Sequence, residues 1–172
     1  MGMPADEIPL GFLARLGLFL ARICLSAWIG AAALFVVVGV AEVTRGGFDS
    51  STKDALVAIR FPSYYLFGVV LVSLAGIGTW LARNSVALSR RRRGYSLVLL
   101  TLVLTLMAVD YVWIYLPLLQ MVTPPGQVKS ASFGTYHQAS KWINLAGLVL
   151  CLSAAWLVNW PFSRRVDQST DA

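Results

Sequence analysis

Four long runs without charged side chains constrain this chain more than any other feature of its sequence. They are 23–41, 61–82, 95–120, which only Asp110 interrupts, and 142–163. A helix needs about 20 apolar residues to cross a bilayer. Only 13% of the 172 residues are charged, against about 25% in a soluble domain. The sequence therefore predicts an all-α fold, an integral membrane four-helix bundle.

The runs also define the domain organisation. We expect a cytoplasmic or interfacial N-terminal segment at 1–22, a four-helix transmembrane domain at 23–161 and a cytoplasmic tail at 162–172. The predicted spans are about 23–42, 61–82, 95–119 and 140–160. Arg15 and Arg22 lie seven residues apart on one helical face, which favours an amphipathic segment lying at the membrane surface.

Helix-boundary signals divide the region between the first and second spans. Residues 51–54 have the form of a capping box, which predicts a short helix from Ser51 to Arg60. Pro62 then falls in the expected first turn of the second span, where its missing N–H costs nothing. Tyr64 and Tyr65 follow, and this position predicts that they lie at the membrane interface.

The distribution of Lys and Arg predicts the orientation. If the spans alternate in direction, one end carries Arg15, Arg22, Arg83, Arg90, Arg91, Arg92, Arg93, Arg164 and Arg165, and the other carries Arg45, Lys53, Arg60, Lys129 and Lys141. The richer end is expected in the cytoplasm with both termini. The run Arg90 to Arg93 is then a cytoplasmic anchor that could also bind anionic lipid head groups. Because the basic residues flank the spans, the net charge of +6 indicates the lipid bilayer as partner and not nucleic acid.

Polar side chains predict a cluster in the outer half of the membrane. Asp110 is the one charged residue well inside a span. At 100° per residue, His137, Ser140 and Asn144 share one face of the fourth helix. The candidate cluster contains Asp110, His137, Ser140, Asn144, Glu42, Arg60 and Tyr64. A buried carboxylate costs at least about 2.5 kcal/mol unless it is paired or protonated.

Two interpretations of this cluster remain open. In the structural one, Asp110 forms an interhelical hydrogen bond with Asn144 or His137 that fixes helix register. In the functional one, the cluster lines an outward-facing opening for a proton, a metal ion or a small polar solute. The corresponding function is small-solute or ion permeation, or resistance.

The alternative function is a non-catalytic assembly or scaffold subunit. Ser26 and Gly30 in the first span, and Gly68 and Gly76 in the second, form stripes of small residues. Such stripes let membrane helices approach closely. They could dock a partner membrane protein or a second copy of the chain.

Metal, haem and catalytic chemistry are not indicated by the residues present. With His137 as its one histidine, the chain cannot supply a bis-histidine haem site alone. Cys24 and Cys151 fall at different membrane depths, too far apart for a disulfide. No recognisable nucleophile and base spacing is present. We therefore expect no enzyme activity, no cofactor and no metal.

Several patterns occur in the same order as in a known family. They are Trp28-Ile-Gly30 with Phe35, then Phe61-Pro-Ser-Tyr-Tyr65, then Asp110 with Pro117, and last Phe133, His137, Ser140 and Asn144 in one stripe. In these features the chain resembles the transmembrane protein 205-like family of small four-helix membrane proteins, whose bacterial members carry a domain of unknown function. It departs by lacking a proline before Glu42 and by carrying Asp110 where relatives favour asparagine. The resemblance implies a multi-pass protein of a bacterial inner membrane and no particular activity.

Overall fold

The computed structural model describes residues 10–160 and is an all-helical bundle. It is 85% helical, and residues 10–160 contain four long helices and no strand. The predicted fold class is therefore confirmed. The predicted tail at 162–172 and the first nine residues of the N-terminal segment lie outside the described residues.

The four helices are each long and apolar enough to cross a membrane. They are α1 (Leu10–Thr44), α2 (Ser50–Leu81, followed by a 3-10 turn at Ala82–Asn84), α3 (Arg90–Met121) and α4 (Phe133–Asn159). Helix α1 packs on α2, α2 on α3, α3 on α4, and α4 returns to α1. This closed ring is the architecture of a multi-pass membrane bundle.

Helix α1 begins earlier than the sequence predicted. The expected interfacial segment is instead continuous with the first span, with no break at Arg22. The reason is a close approach to α2: Gly17 lies against Gly78, and a Cβ added at Gly17 would come within 2.6 Å of the Gly78 carbonyl oxygen. Ala21 is completely buried beside this crossing. Close packing between backbones therefore holds the first turns of α1 against α2.

Helix α2 is also continuous where a short helix and a separate span were predicted. Its N-cap is Asp49, whose side chain accepts a hydrogen bond from the Thr52 amide at 2.9 Å, so the predicted Ser51 capping box is wrong. Pro62 lies in the interior of the helix. The Ser63 hydroxyl donates to the Ile59 carbonyl at 3.4 Å, a side-chain bond to the preceding turn of the helix.

Buried Asp54 fixes the connection between α3 and α4. Its carboxylate accepts a hydrogen bond from the Gly126 amide at 3.1 Å and pairs with Lys129 at 2.9 Å. Asp54 was expected in the capping box of α2. It instead holds the proline-containing loop against the start of α2.

Helix α3 contains a wide turn close to its proline. Its α-helical part Arg90–Val109 passes into a π-helical turn at Asp110–Tyr115 and returns to α-helix at Leu116–Met121. The Leu116 amide bonds to the Tyr111 carbonyl, five residues back. Pro117 has no N–H, and its ring would collide with the carbonyl four residues earlier in a regular α-helix. We attribute the wider turn to this conflict.

Arginine side chains bind the carbonyl groups at the C-terminus of α4. Arg22 donates to the Val158 carbonyl at 3.2 and 3.3 Å. Arg92 donates to the carbonyl of Leu157 at 3.0 Å and to that of Trp160 at 2.8 Å. The last carbonyls of a helix have no partner within the helix and favour positive charge. The run Arg90 to Arg93, expected between the spans, forms the first turn of α3, and Ser89 caps this helix.

Substituting Gly17 by Ala tests the crossing of α1 and α2. We expect Gly17→Ala to destabilise the bundle by about 1–3 kcal/mol, because the new methyl group forces two backbones apart. The free energy of unfolding in detergent micelles, followed by circular dichroism, measures the loss. Gly30→Ala is the matched control, since nothing lies within 4 Å of a Cβ at Gly30. Equal stability of the two variants would contradict this account of the crossing.

Candidate functional site

The carboxylate of Asp110 is the centre of the candidate site. Asp110 begins the π-helical turn of α3 and is only 1% exposed. Its Oδ2 atom accepts hydrogen bonds from the Tyr65 hydroxyl at 2.5 Å, the Asn144 side-chain amide at 2.6 Å and the Ser140 hydroxyl at 3.1 Å. Three donors from α2 and α4 thus converge on one oxygen of α3.

Tyr64 determines how the amide of Asn144 faces this carboxylate. The Tyr64 hydroxyl donates to Asn144 Oδ1 at 3.1 Å. The opposite end of the amide, Nδ2, donates to Asp110 and also to the Ser140 carbonyl at 2.9 Å. Because its oxygen is occupied by a donor, the amide presents N–H groups to the carboxylate. The network therefore supplies Oδ2 with donors only.

The second oxygen of Asp110 has a different environment. Oδ1 is buried and has no hydrogen-bond partner among residues 10–160. Asp110 lines a cavity of about 20 Å³, together with Trp28, Tyr64, Met107 and Asn144. Such a space holds about one water molecule. Buried polar atoms in proteins are nearly always hydrogen-bonded, so Oδ1 is the atom of this carboxylate at which a further hydrogen bond can form.

Aromatic rings enclose the carboxylate on the side of α2 and α3. Tyr65 packs edge-on against Tyr111 with ring centroids 5.2 Å apart, and Tyr111 stacks on Tyr115 at 5.3 Å. Phe61 stacks on Tyr115 at 5.6 Å. The hydroxyl of Tyr115 is buried and, like Asp110 Oδ1, has no partner in the described part of the chain. The π-helical turn carries both of these unpartnered groups.

Trp28 of α1 closes the cavity from the remaining side. Its ring lies 4.9 Å from the ring of Tyr64. A Cβ at Gly68 would come within 2.5 Å of the Trp28 ring and 2.4 Å of the Met107 side chain. The absence of a side chain at Gly68 therefore makes room for the indole inside the bundle. All four helices contribute to the enclosure of Asp110.

Two members of the predicted cluster, Glu42 and Arg60, lie apart from Asp110. They form an ion pair with each other between α1 and α2. The Arg60 guanidinium also lies over the ring of Phe35, 4.9 Å from its centroid. The positive charge of Arg60 is therefore neutralised by Glu42 and not by Asp110.

His137 is also separate from Asp110. It is exposed, and its ring stacks on Phe133 at 5.9 Å. Tyr136 takes the half-buried position at this turn of α4, one turn before buried Ser140. His137 therefore lies outside the face of α4 that packs in the bundle. The structure brings together Asp110, Ser140, Asn144 and Tyr64 and leaves out His137, Glu42 and Arg60.

Tyr65 is the residue of this network that the sequence analysis missed. Tyr65 was expected to mark the membrane interface, and the structure instead shows its side chain inside the bundle, only 4% exposed. Its position three residues after Pro62 pointed to the start of a span and not to the polar cluster. The available signal was spacing: Tyr65 is three residues before Gly68 and seven before Val72, on the face of α2 that packs in the bundle.

The small-residue stripes divide between the interior and the surface. Gly68 packs against α1 and α3, so it does not offer a surface to a partner helix. Ser26 and Gly30 are exposed, and nothing lies within 4 Å of a Cβ added at half-buried Gly76, so these three positions remain available for docking.

Among the described residues, no group of three His, Cys, Asp or Glu side chains could hold a metal ion. Cys24 and Cys151 are buried and free.

Comparisons with known proteins add no assignment. No family model, curated protein or solved structure matches the chain. The functional argument therefore rests on the geometry around Asp110.

The hydrogen bonds to Asp110 Oδ2 should contribute measurably to stability. We expect Tyr65→Phe and Ser140→Ala each to lower the free energy of unfolding by about 0.6–1.7 kcal/mol, the range of interhelical hydrogen bonds in membranes. Because both donors bind the same oxygen, the double variant should deviate from additivity by about 0.5 kcal/mol or more.

Ser153→Ala is the control for this cycle. The Ser153 hydroxyl is exposed and donates to the Val149 carbonyl of its own helix at 2.9 Å. Its loss should change the free energy of unfolding by less than about 0.5 kcal/mol. Strict additivity, or equal effects at Ser140 and Ser153, would show that Asp110 does not couple the helices.

Proposed function

We propose that this multi-pass membrane protein binds and releases a proton at Asp110, as part of a non-enzymatic role in ion permeation or resistance. The observation that carries this proposal is the asymmetry of the carboxylate. Oδ2 has three donors, whereas buried Oδ1 has no partner in residues 10–160 and Asp110 lines a cavity of one-water size.

The charge balance around Asp110 supports a proton at this position. Within the described residues no Lys or Arg pairs with Asp110, since Arg60 is bound to Glu42 and Lys129 to Asp54. An ionised carboxylate at this depth costs at least about 2.5 kcal/mol. Three neutral donors offset part of that cost. A proton on Oδ1 removes the rest, and its departure leaves an anion that Tyr65, Ser140 and Asn144 stabilise.

The size of the cavity favours a proton over a polar solute. Sites for small organic molecules enclose about 300–1,000 Å³, whereas the space beside Asp110 is about 20 Å³. The described conformation therefore has room for a proton and one water molecule that carries it.

The position of Asp110 along α3 supports proton exchange from one side. Asp110 lies 11 residues before the end of the helix at Met121 and 20 residues after its start at Arg90. At 1.5 Å per residue these separations are about 17 and 30 Å. The shorter path leads to the end of the bundle away from the arginine run. By the positive-inside rule this end faces outward, in a bacterial inner membrane if the family resemblance holds.

Infrared difference spectroscopy of the reconstituted protein tests the proton at Asp110. We expect a carbonyl-stretch band of a protonated carboxylic acid that changes with pH and disappears in Asp110→Asn. The reason is that asparagine keeps an acceptor oxygen for the three donors but has no titrating proton. Tyr65→Phe should shift the band, because it removes one hydrogen bond to the same carboxyl group.

Asp54→Asn is the matched control for this spectrum. Asp54 is equally buried but is paired with Lys129, so its substitution should leave the band in place. A pH-independent spectrum, or a band that persists in Asp110→Asn, would refute the proposed proton site.

The proposed orientation has its own test. Reporter fusions in the 90–93 region and in the 123–126 loop should report the cytoplasm and the opposite side, respectively, because the arginine-rich end is retained inside. A cytoplasmic signal from the 123–126 fusion would reverse the membrane side from which Asp110 exchanges its proton.

A further inference from the structure

The arginine-rich end of the bundle contains a second cavity, unrelated to Asp110. It lies between the first turns of α1 and the connection from α2 to α3, and its volume is about 420 Å³. Its polar lining consists of Arg15, Arg22, Asn84 and Ser85. This volume falls within the range of small-molecule sites.

The charge at this end is not balanced within the described part of the chain. Arg15, Arg22, Arg83 and Arg90 to Arg93 lie here, whereas the four carboxylates of residues 10–160 belong to Glu42, Asp49, Asp54 and Asp110. None of the ion pairs among these residues includes an arginine of this end. Several of these guanidinium groups bind helix carbonyls, but Arg15 makes no hydrogen bond to any described residue.

The donors of the cavity match a phosphate group. Arg22 uses Nε and Nη2 for the Val158 carbonyl, which leaves Nη1 without a hydrogen-bond partner among residues 10–160. Ser85 Oγ accepts a bond from the Ala87 amide at 3.2 Å, so its own proton remains available. Guanidinium, hydroxyl and side-chain amide groups are the donors that proteins use for phosphate oxygens.

The apolar rim of the cavity indicates where such a phosphate comes from. Phe19 and Val86 line it and are 61% and 66% exposed. Phe19 lies in the third turn of α1 and Val86 in the connection from α2 to α3, at the arginine-rich end of the bundle, where the head groups of a surrounding bilayer would meet the acyl chains. A ligand with a charged head and apolar tails satisfies both parts of the lining, whereas a free phosphate ion satisfies only one.

We propose that this cavity binds the phosphate head group of an anionic phospholipid. Arg15 and Arg22 contact the phosphate, Asn84 and Ser85 donate to its oxygens or to the head-group hydroxyls, and the acyl chains follow Phe19 and Val86. Basic pockets between membrane helices are suited to such lipids, and each basic residue near the surface strengthens binding by about fivefold.

Native mass spectrometry of the full chain, with phosphatidylglycerol or phosphatidylcholine added, tests this site. We expect a preference for phosphatidylglycerol adducts, and about fivefold weaker binding in Arg15→Gln. Arg15 is the informative position because it makes no hydrogen bond to the described fold. Arg91→Gln is the control: it removes the same charge from an exposed residue outside the cavity, and the affinity should fall much less than in Arg15→Gln.

The remaining outcomes each count against the proposal. Equal weakening by Arg15→Gln and Arg91→Gln would indicate general attraction to the basic surface. Equal binding of the two lipids would exclude recognition of an anionic head group. If inorganic phosphate fully displaces phosphatidylglycerol, at the same concentration in the wild type and in Arg91→Gln, the cavity is a small-anion site without lipid recognition.

Discussion

Burial of one carboxylate among membrane-spanning helices is the constraint on which the rest of this structure depends. The hydrocarbon core of a bilayer offers no hydrogen-bond donors, so Asp110 must obtain them from neighbouring helices. Tyr65 supplies one from α2, and Ser140 and Asn144 supply two from α4. These bonds require α2, α3 and α4 to have one relative register. Close packing at Gly17 and Gly78 then joins α1 to the same assembly.

The two ends of the bundle satisfy their polar groups in different ways. At one end, arginine side chains bind the last carbonyls of α4, and Arg93 binds the Arg83 carbonyl after α2 at 2.8 Å. At the other end, carboxylates pair with basic side chains, as in Asp54 with Lys129. Positive charge near helix C-termini is favourable, and by the positive-inside rule the same arginines carry the proposed cytoplasmic orientation of this end. One set of arginines therefore serves both the fold and the proposed orientation.

The sequence allowed the fold class, but not the helix ends, to be predicted. Charge-free runs of about 20 residues identify spans because lipid excludes charge, and this constraint is local to each run. The sequence predicts a span that begins after Arg22, one whose first turn contains Pro62, and one that begins after the arginine run at 90–93, yet all of these residues lie further inside longer helices. Helices continue past such residues when a neighbouring helix packs against them or their side chains reach helix carbonyls. Those tertiary contacts are not visible in a single sequence.

The candidate site was predictable to the extent that helical spacing determines it. Periodicity predicts that Ser140 and Asn144 share one face of α4, and the charge of Asp110 predicts that it needs partners inside the bundle. Whether Tyr65 joins the network and whether His137 stays out of it depend on how far each helix is rotated about its axis in the bundle. The π-helical turn at Asp110–Tyr115 adds a rotation within α3 that periodicity does not contain, because it assumes 100° for every residue.

The choice of aspartate over asparagine at position 110 bears on what this network is for. Tyr65, Ser140 and Asn144 all donate to one oxygen, and the single carbonyl oxygen of an asparagine could accept the same bonds. Register between helices therefore does not require an ionisable group. The second oxygen of the carboxylate adds burial cost and has no hydrogen bond in the described structure. Asparagine would place an uncharged NH2 group where Oδ1 lies, so what aspartate adds at this position is the ability to take up and release a proton, which is the property that the proposed function uses.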